Sequence, residues 1–280
     1  MDTNKKLKQY ELKILDEFDR ICKKYNLKYY LAYGSALGAI RHKGFIPWDD
    51  DIDVHMSIQD ILKFKEICTK ELSKEYYFQD KLTDKYYYNL WAKFGLENTT
   101  WMPKDHIVNC KYGICIDIFP ITFLNDNKKE RRRIEKYTKL MCITSSKYYV
   151  LNTKKKKYPI YKKLIHQIIP NSINNCLYYY SLKKLSKNNT DFDTVVFYDV
   201  DINKNIYFDK SVFIGNNKLP FEKRMLPVPN DIDMYLKTIY GDYMMPPPKD
   251  KRYGHDTGDD IIYDFKNSYK KYVGDKNDKS

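Results

Sequence analysis

The sequence predicts an α+β fold, and three observations carry that prediction. Apolar residues near the N-terminus recur with a helical period at Leu7, Tyr10, Ile14, Leu15, Phe18, Ile21 and Cys22, with Glu11 the one polar member. Short β-prone runs bounded by polar turns follow across residues 27–119. A lysine-rich section, residues 128–187, then returns to helical patterning. A chain of 280 residues can hold one large domain, or one domain with a helical appendage, and can bury a substantial core.

Taken in order, residues 27–33 read as the first core strand. Ser35 can cap a short helix over residues 36–41. Free N–H groups at such a start suit phosphate oxygens, and a capped turn without a ligand is the plain alternative. A second strand is expected over residues 51–56, then a helix from Ser57 to about residue 72. Residues 76–79 and 87–94 read as strands, the second carrying Trp91 and Lys93. Lys93 either reaches a phosphate or stands as an exposed strand lysine. Residues 101–109 read as a loop, and residues 112–119 as a strand closed by Pro120.

A basic helix over residues 128–151 comes next, then a lysine run at residues 154–157 and helices over 160–169 and 173–185. Residues 195–198 and 212–214 read as strands, and Asp199-Val200-Asp201 as a loop. Asp231 is a helix start signal and Gly241 the matching stop. Pro246-Pro247-Pro248 stiffens the exit and brings Arg252 and His255 towards the site. The polar residues after Asn267 are expected to fray.

The chemistry concentrates in the run YGSALGAIRHKGFIPWDDDIDVHM, residues 33–56. Asp49, Asp50, Asp51 and Asp53 put four carboxylates within five residues. Close carboxylates repel and raise one another's pKa unless a cation sits among them. Carboxylate oxygens select hard divalent ions, so Mg2+ or Mn2+ is the expected guest. Ile52 and Val54 alternate with Asp51 and Asp53, so on a strand both carboxylates share one face. Asp50 then faces away and only supports them.

Asp117 lies among Ile114, Ile116, Ile118 and Phe119. A carboxylate there is costly unless paired or bound to metal, which makes it a third candidate ligand. The plain readings are an acidic turn at a strand start and an Asp at an edge-facing position. Arg41 offers a planar fork suited to phosphate, or a salt bridge to Asp49 or Asp50. Asp49 and His42 are candidates to take a proton, with His255 a third.

Gly34-Ser35, Asp51 with Asp53, and Asp117 in GICIDIFP together resemble the LicD family. Tyr240-Gly241-Asp242-Tyr243, Pro247-Pro248, Arg252 and His255 add a weaker match. Enzymes of that family move phosphocholine or a similar phospho-substituent from a CDP-linked donor to a sugar. The family is similar in turn to fukutin-type ribitol-phosphate transferases and to the nucleotidyltransferase fold. The matches cover about residues 25–125 and 220–256.

The resemblance implies a nucleotidyltransferase-like mixed β-sheet flanked by helices, with residues 1–127 as catalytic core. Residues 128–190 become a basic helical insert, 191–266 a C-terminal part completing the site, and 267–280 a flexible tail. It implies that Asp51, Asp53 and Asp117 hold Mg2+ or Mn2+ against the donor diphosphate. Gly34, Ser35 and Arg41 would face phosphate, with Arg252 and His255 beside them. The acceptor would be a lipid-linked or oligosaccharide precursor of a cell-surface glycan, and CMP would leave. A nucleotidyltransferase of the same fold would use the same acids but keep the nucleotide on the acceptor.

Net charge is +13, unevenly placed. Residues 128–187 hold seventeen Lys/Arg against two Glu, whereas the remainder holds 33 Lys/Arg against 35 Asp/Glu. The excess is therefore one basic face, suited to an anionic leaflet, a lipid-linked diphosphate or nucleic acid. A nucleic-acid-binding protein would leave the buried acids unexplained, which argues against that partner. The six Cys form no Cys-x-x-Cys pair, so zinc is not expected. The polar N-terminus lacks a signal-peptide core and no apolar run reaches membrane-spanning length. The expectation is a cytoplasmic protein with reduced thiols, peripheral at the inner membrane face.

Overall fold

The computed structural model describes residues 3–106, 108–152, 160–186, 191–199, 203–252, 254 and 260–273. The periodic N-terminal stretch forms α1 (Thr3–Lys24), which buries Leu7, Glu11, Ile14, Leu15, Phe18, Ile21 and Cys22 on one face. The chain continues through β1 (Tyr29–Leu31), α2 (Tyr33–His42), β2 (Asp53–Ser57) and α3 (Ile58–Glu71). Ser57 caps α3 by accepting the Asp60 N–H. Next come β3 (Tyr76–Gln79), β4 (Ala92–Leu96), β5 (Thr100–Pro103) and β6 (Cys115–Leu124). The fold is α+β with a mixed sheet in the order β1-β2-β6-β4-β3. β2 and β6 run parallel, while β1–β2, β3–β4 and β4–β6 are antiparallel.

Pro120 does not close β6, which runs four residues beyond it. The Asp117 N–H points towards β2, where it donates to the Ile52 carbonyl at 2.9 Å. Alternation turns position 120 the other way. There β4 has ended opposite Ile118, and the next neighbour, β7 (Thr194–Asp199), begins opposite Ile121. The missing N–H of Pro120 thus falls in the gap between two partners.

Between β6 and β7 lie α4 (Lys128–Ser145), α5 (Lys147–Asn152), α6 (Ile160–Ile168) and α7 (Asn171–Leu185). The expected single helix over residues 128–151 is broken at Ser146. Ile134 and Met141 of α4 pack with Tyr178, Leu182 and Leu185 of α7 against Ile58, Leu124 and Val196. The lysine run at residues 154–157 lies outside the described residues.

Asp199 ends β7 rather than lying in a loop, because it pairs with Lys204 of β8 (Lys204–Asp209). Asp201 is outside the described residues. Residues 212–214 are not a strand. Asp209 accepts the Ser211 N–H and starts a 3-10 turn at Lys210–Val212. β9 (Lys218–Phe221) and β10 (Arg224–Pro227) form a hairpin, and α8 (Ile232–Tyr240) is capped by Asp231 and ends at Gly241, φ 67°.

Residues 101–109 begin as a strand, not a loop. β5 pairs with β11 (Ile261–Asp264), from far along the chain. Beyond it Tyr269–Lys271 make a turn, and the Tyr272 hydroxyl donates to Asp264 at 2.5 Å, so this part of the expected tail is tied down. All six cysteines are free thiols.

Candidate active site

Strand register assembles the site. In the parallel β2–β6 pair Asp53 lies opposite Asp117, and in the antiparallel β4–β6 pair Lys93 lies opposite Asp117. Directly paired residues present their side chains on the same face, so Asp53, Asp117 and Lys93 form a row across three strands. Asp117 is held at its centre. Its Oδ1 pairs with Lys93 Nζ at 2.8 Å, and its Oδ2 accepts the Trp91 indole N–H at 2.8 Å. Lys93 is therefore a half-buried ion-pair partner and not an exposed strand lysine.

Asp51 sits just ahead of β2, not within it. Burial pushes its carboxyl well up, and the charges of Asp49, Asp117 and Asp50 add to this while Lys93 opposes them. Asp53 is likewise pushed well up by burial, then by Asp51, Asp117 and Asp49, again against Lys93. The three expected ligands thus feel one another's charge. Among the described residues, however, the trio whose ligand atoms all lie within 4.8 Å of one another is Asp49, Asp50 and Asp51. Both Asp117 oxygens turn instead to Lys93 and Trp91. Asp50 does not face away: it is buried within this trio. Crowded, buried carboxylates with one committed ammonium beside them fit a hard divalent cation.

The Gly-Ser step serves the acids through the backbone. α2 already begins at Tyr33, after Ala32, so Ser35 is not its cap. The buried Ser35 Oγ instead accepts the Asp53 N–H at 2.9 Å and fixes the start of β2. A Cβ on Gly34 would come within 2.6 Å of Asp49 Oδ2, so glycine is what lets that carboxylate approach.

Tyr33 has φ 43°, and its N–H donates to the Tyr235 hydroxyl at 3.0 Å. That hydroxyl lies 3.0 Å from His55 Nε2. His55 is fully buried among the rings of Tyr33, Phe119, Phe197, Phe213 and Tyr235, and burial lowers its pKa to about 3.

A basic flank stands on Trp48. The Arg41 guanidinium lies 6.0 Å and that of Arg252 5.2 Å from its ring. Arg41 donates to the Tyr243 carbonyl at 3.0 Å, and Arg252 to that of Pro247 at 2.8 Å. Burial and then repulsion from Arg252 lower the Arg41 pKa, with Asp49 opposing. His42 is exposed, its Nε2 accepting from Arg41 Nε at 3.0 Å. Burial and then Arg41 lower its pKa. His255 lies outside the described residues.

Local pattern did not single out Trp91, Trp48 or Glu11 as site residues, and it offered Lys93 as a phosphate contact or an exposed strand lysine, not as the ion-pair partner of Asp117. The one available signal was Glu11 itself, a lone acid on an otherwise apolar helical face. A cavity of about 290 Å³ lined by Tyr87, Tyr88, Trp91, Trp101 and Tyr112 reaches Lys93 and Asp117.

Residues 26–149 match the family described as LicD/FKTN/FKRP, nucleotidyltransferase domain. The lipopolysaccharide cholinephosphotransferase LicD of Haemophilus influenzae is 28% identical over 254 residues, covering 87% of this chain and 92% of that protein. Uncharacterized proteins of Rickettsia typhi and Rickettsia prowazekii are 38% and 36% identical over 63 residues. Each match covers 22% of this chain, with 20% and 23% of the respective relatives. Residues 26–149 thus match the LicD/FKTN/FKRP nucleotidyltransferase domain, in a chain that resembles a LicD protein over nearly the whole length of that protein.

Proposed function

We propose that this chain is a phosphotransferase moving phosphocholine from a CDP-linked donor to a sugar hydroxyl of a cell-surface glycan precursor, with release of CMP. The observation that carries this reading is the aromatic cavity that reaches the Lys93–Asp117 pair, in a chain similar to a cholinephosphotransferase over most of its length. Faces of Trp and Tyr attract a quaternary ammonium, which places the head group among Trp91, Trp101 and Tyr88 and its phosphorus beside Asp117.

Asp51, Asp53 and Asp117 would hold the divalent cation, Mg2+ or Mn2+, which supplies charge neutralisation at the donor diphosphate. The remaining work is positioning. Arg41 and Arg252 bind phosphate oxygens from the Trp48 side, and Gly34 leaves room for the Asp49 carboxylate. The acceptor oxygen forms the new P–O bond as the bond to CMP breaks, and CMP keeps that electron pair. The hydroxyl proton passes to Asp49 or His42, the two candidate bases of the acid run and the turn before it.

The test is incubation with CDP-choline, CDP-glycerol and CDP-ribitol, scoring free CMP with and without chelator. CMP release with CDP-choline that stops in chelator is expected. Diphosphate release would identify nucleotidyl transfer instead, and unchanged turnover in chelator would remove the cation. Trp101→Ala should raise KM for CDP-choline more than for the uncharged head groups.

The basic helices serve the acceptor side in this reading. Leu164, Ile165, Ile168 and Ile173 are exposed beside the positive charge of α6 and α7, an arrangement suited to the surface of an anionic leaflet. No helix among the described residues is long and apolar enough to cross a membrane.

A further inference from the structure

Three lysines meet where α5 packs against the loop that follows β3, and the transfer chemistry uses none of them. Lys81 is 1% exposed and carries its charge into the interior. Its ammonium donates to the Lys85 carbonyl at 2.7 Å and stands 4.6 Å from the Tyr148 ring. Lys147, next to Tyr148 in the chain, is also buried, and its ammonium donates to the Ile169 carbonyl. Lys85 is exposed, with its ammonium 5.1 Å from the Tyr86 ring, and Tyr86 meets Tyr148 edge-on at 4.9 Å.

The acids nearest to them in the chain are committed elsewhere. Asp80 pairs with Lys65 at 3.0 Å. Asp84 accepts from the Gln79 side chain at 2.8 Å, and from the N–H groups of Lys111 at 2.9 Å and Tyr86 at 3.0 Å. Among the described residues, Lys81, Lys85 and Lys147 form no ion pair. Burial lowers the Lys81 pKa to about 8; Asp84 opposes this, and the charges of Lys147 and Lys85 add to it. A buried charge is costly unless an ion of opposite sign joins it, so such a cluster calls for an anion.

The cluster adjoins an apolar surface. Lys147 reaches the carbonyl one residue past α6, and Leu164, Ile165 and Ile168 of that helix are exposed. It also adjoins the aromatic cavity, because Tyr149 of α5 packs at 5.0 Å on Tyr88, which lines it. We propose that Lys81, Lys85 and Lys147 bind the phosphate of a lipid, a doubly charged phosphate or diphosphate ester whose hydrocarbon lies along Leu164, Ile165 and Ile168. Lysine holds phosphate as a point charge, and three together favour a doubly charged ester over a singly charged phosphodiester. The proposal rests on the leaflet contact of α6 and deepens it, since the anionic partner becomes one phosphate in a built site and not the average charge of a surface. A glycan precursor carried on such an ester would be held at the edge of the cavity.

The test is binding of the full chain, with no CDP-linked donor present, to phosphatidylcholine vesicles carrying either phosphatidic acid or phosphatidylglycerol at matched surface potential. Phosphatidic acid exposes a phosphomonoester and phosphatidylglycerol only a diester. The wild-type chain should bind the first about tenfold more tightly, the gain expected from added hydrogen bonds between charged groups. Lys81→Met removes the ammonium, keeps the stem, and should bring the two affinities together. Lys85→Gln, a change on an exposed side chain, should cut the preference by about fivefold, the effect of one lysine at an anionic surface. Inorganic diphosphate should displace the chain only in large excess over the lipid, because it lacks the hydrocarbon.

Equal binding of both vesicles by the wild-type chain overturns the proposal and leaves the leaflet contact standing. A Lys81→Met chain that keeps the preference overturns it too, because Lys81 is then only a packing lysine held by Tyr148 and the Lys85 carbonyl. If Lys81→Met does not fold, an unchanged preference in Lys85→Gln overturns it in the same way. Inorganic diphosphate competing at the lipid's own concentration assigns the site to a soluble anion and removes the lipid. Binding to neither vesicle removes the leaflet contact and this proposal with it, whereas a failure of CMP release touches neither, since no step of the test uses turnover.

Discussion

Asp53 and Asp51 are carboxyls whose charge the fold makes expensive, because burial and neighbouring acids both push them up. Replacing either with Asn removes the charge and keeps the shape. Asp51→Asn or Asp53→Asn should lower turnover of the CDP-linked donor by about 10²–10³-fold, the size of other lost electrostatic contacts. The thermal midpoint should not fall; full turnover by either variant would remove its role.

His55 shows the opposite sign. Its folded pKa of about 3 lies below the usual 6.5, so the unfolded chain binds the extra proton first. Its contribution is whole above pH 6.5 and drains away, by about 1.4 kcal/mol per pH unit, as pH falls towards 3. His55→Gln should flatten the acid limb of a stability–pH curve. An unchanged slope would mean that His55 is not held neutral.

Strand pairing is what turns Lys93 and Asp117, 24 positions apart, into an ion pair. Lys93→Met should therefore strand a carboxylate in the sheet. Losing one partner of a buried pair costs about 3–5 kcal/mol, and partial exposure puts this pair at the lower end. Denaturant unfolding should show the loss, and adding Asp117→Leu should recover stability without recovering transfer. A Lys93→Met variant as stable as the wild type would show that Trp91 alone satisfies Asp117. β6 carries this arrangement because Pro120 sits where one neighbour gives way to the next.

The molecule sets its acids and its basic helices on separate parts of one sheet. α4 and α7 cover the end of β6 that pairs with β7, away from Asp117. If α6, beside them, meets an anionic leaflet, Leu164→Glu with Ile168→Glu should abolish sedimentation with anionic vesicles at low salt. CMP release from a soluble acceptor should persist. Vesicle binding that survives the double change would dispose of the membrane contact.

Much of the architecture was legible from neighbours along the chain. α1 announces itself through a helical period, α3 and α8 through the capping acceptors Ser57 and Asp231, and the acid run through sheer density. The strand ends were less legible, because Asp51 lies ahead of β2 and residues 87–91 lie ahead of β4. Those limits depend on where a partner strand stops. The β5–β11 pairing, the Lys93–Asp117 pair, the Ser35 contact to Asp53 and the place of Glu11 beneath the acids were not legible at all. Each joins residues that no local period relates. Periodicity and turn chemistry are short-range properties of the polymer, whereas register and burial exist only once distant segments have packed.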